Sequence, residues 1–182
     1  MRPRPEAAPP PTAYQRALRR LGRRDHSVAE LRRALLDRGH EPAEVEAAIE
    51  RLRAERYLDD RGFAERFARS RMAHQGLGRA RVRQGLRQRG VARAETEAGL
   101  EGALREVDER AVLDGLARRY WRQHARVEPA RRLPRLWAFL LRRGFAGGLV
   151  HERLGALWPR WKDALEGLEP LEPVEAHAGE QE

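Results

Sequence analysis

The sequence predicts an all-α protein, a tandem array of three three-helix repeats that is elongated and curved. Three observations predict it. Leu31, Leu35 and Gly39 stand four residues apart, and the same pattern returns as Val82, Leu86, Gly90 and as Leu136, Leu140, Gly144. The glycines recur every fifty or so residues, roughly the period of stacked helical units. Helix-start signals also precede the apolar runs, and the repeats join through only a residue or two, which favours a chain of modules over one merged globule.

The first stretch, 1–12, carries five prolines and little that packs, and is expected to be a disordered lead. Repeat one spans 13–60. Tyr14, Leu18 and Leu21 stand at helical spacing, and 22–25 breaks that helix. Ser27-Val28-Ala29-Glu30 is a capping box, a hydroxyl acceptor with a carboxylate three residues on. Leu31, Leu35 and Leu36 follow, and Gly39 ends the helix in the left-handed conformation. Glu41-Pro42 opens a third helix faced by Val45, Ala48, Ile49 and Leu52, and Tyr57 and Leu58 close the repeat.

Repeat two spans 61–107. Asp59 and Asp60 are candidate caps for its first helix. Phe63, Phe67, Ser70 and Met72 mark that helix's face, and Gly76-Leu77-Gly78 breaks it. Val82 and Leu86 carry the second helix. Leu100 and Leu104 carry the third, with Thr96 in the place of Val45. Threonine is a weaker core residue, so this helix is expected to pack less firmly.

Repeat three spans 108–165. Val112, Leu116, Tyr120 and Trp121 lie on its first helix, and 126–131 reads as a loop around Pro129. Leu133, Leu136, Trp137, Leu140 and Leu141 give the second helix. Val150, Leu154 and Leu157 give the third, behind Gly147-Gly148, whose presence favours fraying there. The tail, 166–182, holds six acidic residues and no basic one, and is expected to be disordered.

Of the 182 residues, 41% are hydrophobic and 36% charged, enough for a thin core in each repeat. No apolar run is long enough for a membrane helix, and the first residues do not read as a secretory signal. Cysteine is absent, which removes disulfides, thiolate metal sites and thiol nucleophiles. A cytoplasmic protein is expected.

Catalytic constellations are also missing. The serines are Ser27 and Ser70, and Ser27 is a cap. None of His26, His40, His74, His124, His151 and His177 stands at metal-ligand spacing with a carboxylate. Gly76-Leu77-Gly78 lacks the third glycine and the preceding strand of a dinucleotide loop. Lys162 is the sole lysine and lies outside any glycine-rich context. The expectation is a binding protein with no cofactor, no metal and no enzymatic activity.

Charge is distributed unevenly. The formal net charge is +9, yet repeat one is close to neutral at +1, whereas repeats two and three carry +6 and +7 and the tail −6. Genome-wide arginine enrichment loads all repeats alike, so this asymmetry points to a polyanionic partner surface. The densest run is Arg79, Arg81, Arg83, Arg87 and Arg89. Arg79, Arg83 and Arg87 are expected to share one outward helix face, where like charges repel and phosphates relieve the strain. A solvated face is the alternative. Arg118, Arg119 and Arg122 form a second candidate beside Tyr120 and Trp121, rings that either stack on bases or pack in a core.

Leu31 to Gly39 with its following helix, the run Tyr57-Leu58-Asp59-Asp60-Arg61-Gly62-Phe63-Ala64-Glu65-Arg66-Phe67, Gly78 to Gly90, and Leu140 to Phe145 together resemble the bacterial regulatory protein RecX family. The acidic pair leading into Phe-Ala-Glu is the most specific piece, and the resemblance covers 14–158. It implies tandem three-helix repeats and a modulator, chiefly an inhibitor, of the recombinase RecA. Such proteins lie in the groove of the RecA filament on single-stranded DNA and lower its ATP hydrolysis, strand exchange and co-protease activity. They thereby modulate homologous recombination, DNA repair and the SOS response. The resemblance carries over no catalytic residue. The expected partner is the RecA nucleoprotein filament, with single-stranded DNA as a further candidate, no membrane, and a monomeric chain. A direct nucleic-acid binder and a helical-repeat scaffold for another partner are the other readings.

Overall fold

The computed structural model describes residues 10–158. Within them the chain forms α-helices and no strand: α1 (Ala13–Leu21), α2 (Val28–Leu36), α3 (Pro42–Ala54), α4 (Asp60–Gln75), α5 (Arg79–Gln88), α6 (Arg93–Leu104), α7 (Glu109–Gln123), α8 (Pro129–Arg142) and α9 (Gly147–Leu157). The acidic tail, Lys162 and most of the proline-rich lead fall outside the described residues.

Local chemistry sets the helix starts. Ser27 and Glu30 form the expected capping box on α2. Thr12 and Gln15 form another on α1, so the last residue assigned to the lead is in fact that helix's cap. Each box satisfies amides that the first turn leaves orphaned, and losing the hydroxyl costs about 1 kcal/mol. Asp59 caps α4 and Asp108 caps α7, each accepting two first-turn amides.

Three cores form in series rather than one. Leu31, Leu35, Val45, Ile49 and Leu52 close the first over Ala13 and Ala17. Phe63, Met72, Val82, Leu86 and Leu100 close the second. Leu113, Leu136, Leu140, Val150 and Leu154 close the third. Each fully buried aliphatic contributes about 1.5–3 kcal/mol, which short helices need because they are marginal alone.

Two packing expectations are corrected. Ser70 is exposed, and the inner face of α4 runs instead through Phe63, Ala64, Ala68 and Met72. The Thr96 helix does not pack loosely. A Cβ on Gly99 would lie 2.5 Å from that of Ala64 and 2.7 Å from the Glu65 amide nitrogen, so α6 lies directly against the α4 backbone. Small residues at the crossing, not the side chain of Thr96, set how near the helices come.

The second and third helices of each module are strapped by one side-chain pair in equivalent places. Arg32 grips Glu46 through two hydrogen bonds of 2.6 and 2.9 Å. Arg83 grips Glu97 likewise, at 2.7 and 2.8 Å. Module three replaces the ion pair with Trp137 edge-on to His151 at 6.4 Å.

The junctions between modules also repeat. The start of α2 sits on the turn after α5: Ser27 Oγ donates to the Arg89 carbonyl, and the Val28 amide donates to Asp60 at 2.9 Å. The start of α5 sits on the turn after α8, there through backbone amides. Gly78 donates to the Arg143 carbonyl at 2.9 Å, Ala80 to the Gly144 carbonyl at 3.1 Å, and the Arg79 amide to Glu109 at 3.2 Å. Asp60 is therefore not a cap for its own helix; it reaches back to the preceding module, and Glu109 does the same one junction later.

Gly90 and Gly144 have φ of +71° and +89°, and each also receives the neighbour. A Cβ on Gly90 would meet Ala29 Cβ at 2.4 Å, and one on Gly144 would meet the Arg81 amide nitrogen at 2.4 Å. Gly39, at φ +79°, has nothing within 4 Å. It ends a helix and receives no module.

The far end of the array is closed differently. α8 begins at Pro129, within the stretch expected to be loop. The added turn carries Arg132, which is buried and donates to the carbonyls of Ala125 and Val127 while lying 4.2 Å over the Trp121 ring. In the register of the repeats Arg132 stands where Ser27 and Gly78 stand at the docking starts of α2 and α5.

Candidate functional site

The sequence pattern makes the arginines of α5 one outward row of repelling charges. The structure separates them. Arg79 Nε donates to Glu109 at 2.6 Å, and that carboxylate is nearly buried. Arg83 is spent on Glu97, whose hydrogen bonds hold the guanidinium pKa above its usual value and the Glu97 pKa below its own. These two charges are internally neutralised, so repulsion along that face is relieved without a partner. Arg32 fills the same role in the nearly neutral first module, which marks Arg83 as a strap between helices.

Arg89 donates to the Gly85 carbonyl at 2.9 Å, lies 4.6 Å over the Phe67 ring, and stands 3.7 Å from Glu30. Arg81 donates to Gln84 at 2.7 Å and meets no carboxylate among the described residues. Arg87 is exposed and has no ion pair among the described residues. Of the five, Arg81 and Arg87 keep uncompensated charge.

Arg118, Arg119 and Arg122 are exposed on α7, again without an ion pair among the described residues. Their aromatic neighbours are committed inward. Tyr120 stacks on His124 at 3.9 Å and leans on Phe139 at 5.0 Å. Trp121 lies between Arg132 and Trp158, 4.8 Å from the latter. Both rings are partly buried and pack against the third core. No hydrogen bond or ion pair among the described residues joins the α7 arginines to those of α5.

Sequence reasoning missed Arg142 and Arg143. They end α8 and line a recess of about 330 Å³ with Arg81, Leu77 and Phe139. Arg143 donates to the Gln75 carbonyl at 2.6 Å and lies 5.1 Å from the Phe139 ring centre. The available signal was the register of the repeats, which sets Arg81 level with Glu30 and Arg143 level with Arg89. No group of three or more His, Asp or Glu side chains among the described residues is placed to hold a metal ion. No described helix is long and apolar enough to cross a membrane.

What the fold and surface define is a tandem array of three-helix modules bearing uncompensated arginine. Three domain models match it in order: RecX first three-helix domain over 13–52, second over 59–100 and third over 108–154. The Regulatory protein RecX of Halorhodospira halophila is 42% identical over 145 residues, which is 77% of this chain and 84% of that protein. The Regulatory protein RecX of Pseudomonas fluorescens strain SBW25 is 37% identical over 136 residues, 74% of this chain and 84% of that one. The chain belongs to the RecX family of regulatory proteins. The crystal structure of RecX from Lactobacillus salivarius shares the fold at a TM-score of 0.71 and 17% identity, over 80% of this chain and 94% of that one. A second crystal structure, of regulatory protein RecX, gives a TM-score of 0.65 at 21% identity, over 77% and 70% of the two chains.

Proposed function

We propose that this chain is a non-enzymatic cytoplasmic regulator that binds the RecA filament on single-stranded DNA. It lowers that filament's ATPase, strand-exchange and co-protease activities. Membership of the regulatory family carries the reading. The charge left over after internal pairing supports it: Arg81 and Arg87 on module two, and Arg118, Arg119 and Arg122 on module three, are free to meet a polyanion.

The test is a titration of the chain into RecA's DNA-dependent ATPase. Inhibition is expected well below the amount needed to coat the DNA. Charge reversal at Arg87, Arg118 and Arg122 is expected to shift the curve to higher protein concentration. A variant at Arg83 is expected to change stability more than inhibition. The basic excess on modules two and three also fits a direct nucleic-acid binder. That reading predicts inhibition that follows DNA coverage and falls steeply with salt.

A further inference from the structure

The two junctions share a backbone but differ in charge on one side. At the first, Glu30 stands between arginines, 3.2 Å from Arg24 and 3.7 Å from Arg89. At the second, Arg81 takes the place of Glu30, Arg143 the place of Arg89, and Arg142 the place of Gln88. The recess they line, about 330 Å³, contains no carboxylate among the described residues. Gln84 is the hydrogen-bond partner of Arg81, and a backbone carbonyl is that of Arg143.

We infer that this recess is an anion site that takes a phosphodiester of a nucleic-acid strand, held by Arg81 from module two and by Arg142 and Arg143 from module three. Three features carry it. Three arginines line one recess with no carboxylate among the described residues, whereas the equivalent place one junction earlier holds Glu30 between Arg24 and Arg89. Guanidinium forks match phosphate oxygens in geometry as well as charge. The backbone that carries Arg81 is also held in place. The Arg81 backbone is seated against Gly144, where an added Cβ would lie 2.4 Å from its nitrogen, and the Gly78 and Ala80 amides pin the same turn. A bound phosphate then bridges two modules. The larger grooves on the other side of the junctions, about 850 and 960 Å³, mix arginines with comparable numbers of carboxylates and lack this bias.

The site is independent of the filament reading and is tested without RecA. Fluorescence anisotropy of the full chain with labelled oligodeoxythymidylate, and with the matching duplex, gives affinity as a function of salt. The double variant R81E/R142Q writes the first junction's residues onto the second. It is expected to bind on the order of tenfold more weakly. The slope of log affinity against log salt on a single strand is expected to fall by about 0.7 for each phosphate no longer neutralised. R81Q/R142Q, which adds no new charge, is expected to lose affinity in the same direction, and circular dichroism checks that both variants remain folded. R53Q, in the first-junction groove, is expected to bind as the unaltered chain does. Unchanged affinity and slope in both double variants overturns the proposal. So does equal competition by polyglutamate at matched charge, which assigns the recess to acidic surfaces in general. If the site fails while RecA ATPase inhibition persists, the filament reading stands without it.

Discussion

The first and second junctions seat a helix start on equivalent glycine turns and carry opposite side-chain chemistry. In both, a helix start rests on a left-handed glycine turn, and a first-turn carboxylate reaches back to the preceding module's amide: Asp60 to Val28, Glu109 to Arg79. Beside that scaffold, Glu30 is bracketed by Arg24 and Arg89 at the first junction, whereas Arg81 stands unneutralised with Arg142 and Arg143 at the second. Glycine turns and first-turn carboxylates hold both junctions, while the flanking side chains diverge. The array can therefore keep one docking arrangement and place its basic excess on modules two and three.

If the glycines set the junctions, the largest effects come from them. Gly90→Ala and Gly144→Ala each add a left-handed penalty and a clash, one with Ala29 Cβ and the other with the Arg81 amide nitrogen, both at 2.4 Å. A loss of about 2–4 kcal/mol is expected from the two costs together. Gly39→Ala meets open space and is expected to lose only about 1–2 kcal/mol from its backbone conformation. Urea unfolding of the three variants ranks them. Equal losses at all three would mean that the turns end helices and do nothing for docking.

How much of this is legible in the sequence follows from the range of each contact. The leucines and glycines at four-residue spacing define the modules because helix periodicity is local, and the capping box at Ser27 is complete within four residues. The fate of the charge is not local. Arg83 meets Glu97 across 14 residues and Arg79 meets Glu109 across 30, so a helix wheel shows both as free. The recess joins Arg81 to Arg142 and Arg143 from another module, a grouping that only the docked junction creates. Thr96 misled for a related reason: helix approach is limited by the smallest residues at a crossing, and Gly99 against Ala64 outweighs one weak core side chain.

The carboxylates that tie the junctions offer a middle-sized test. Glu109→Gln keeps an acceptor for the Arg79 amide but removes the charge facing the Arg79 guanidinium, and a loss of about 1 kcal/mol is expected after allowing for the half-exposed arginine. Asp60→Asn is expected to lose less, below about 0.5 kcal/mol, because the amide oxygen can still accept from Val28. Burial already raises the Asp60 pKa above its ordinary value, so its charge contributes little to hold. Matched losses in the two variants would put the junctions on an equal electrostatic footing and weaken the contrast between them.

The smallest expected effect is a pH dependence confined to the first junction. His26 is buried at 5% exposure, and its Nδ1 has no hydrogen-bond partner among the described residues; Leu77 takes its place at the second junction. Burial lowers the His26 pKa below 6.5, with Arg24 and Arg20 adding to the shift and Glu30 and Asp25 opposing it. The folded chain therefore binds this proton less readily than the unfolded chain, so stability rises with pH through the window below 6.5 and is lost as pH falls through it. Glu97, with its pKa lowered by Arg83, gives the same sign but in a window below 4.5, which separates the two. His26→Leu copies the second junction's residue onto the first. Its stability is expected to lose the acid-side softening that His26 gives the unaltered chain below pH 6.5, and urea midpoints across that range measure the difference. Identical slopes in the two proteins would move the titration away from the junction.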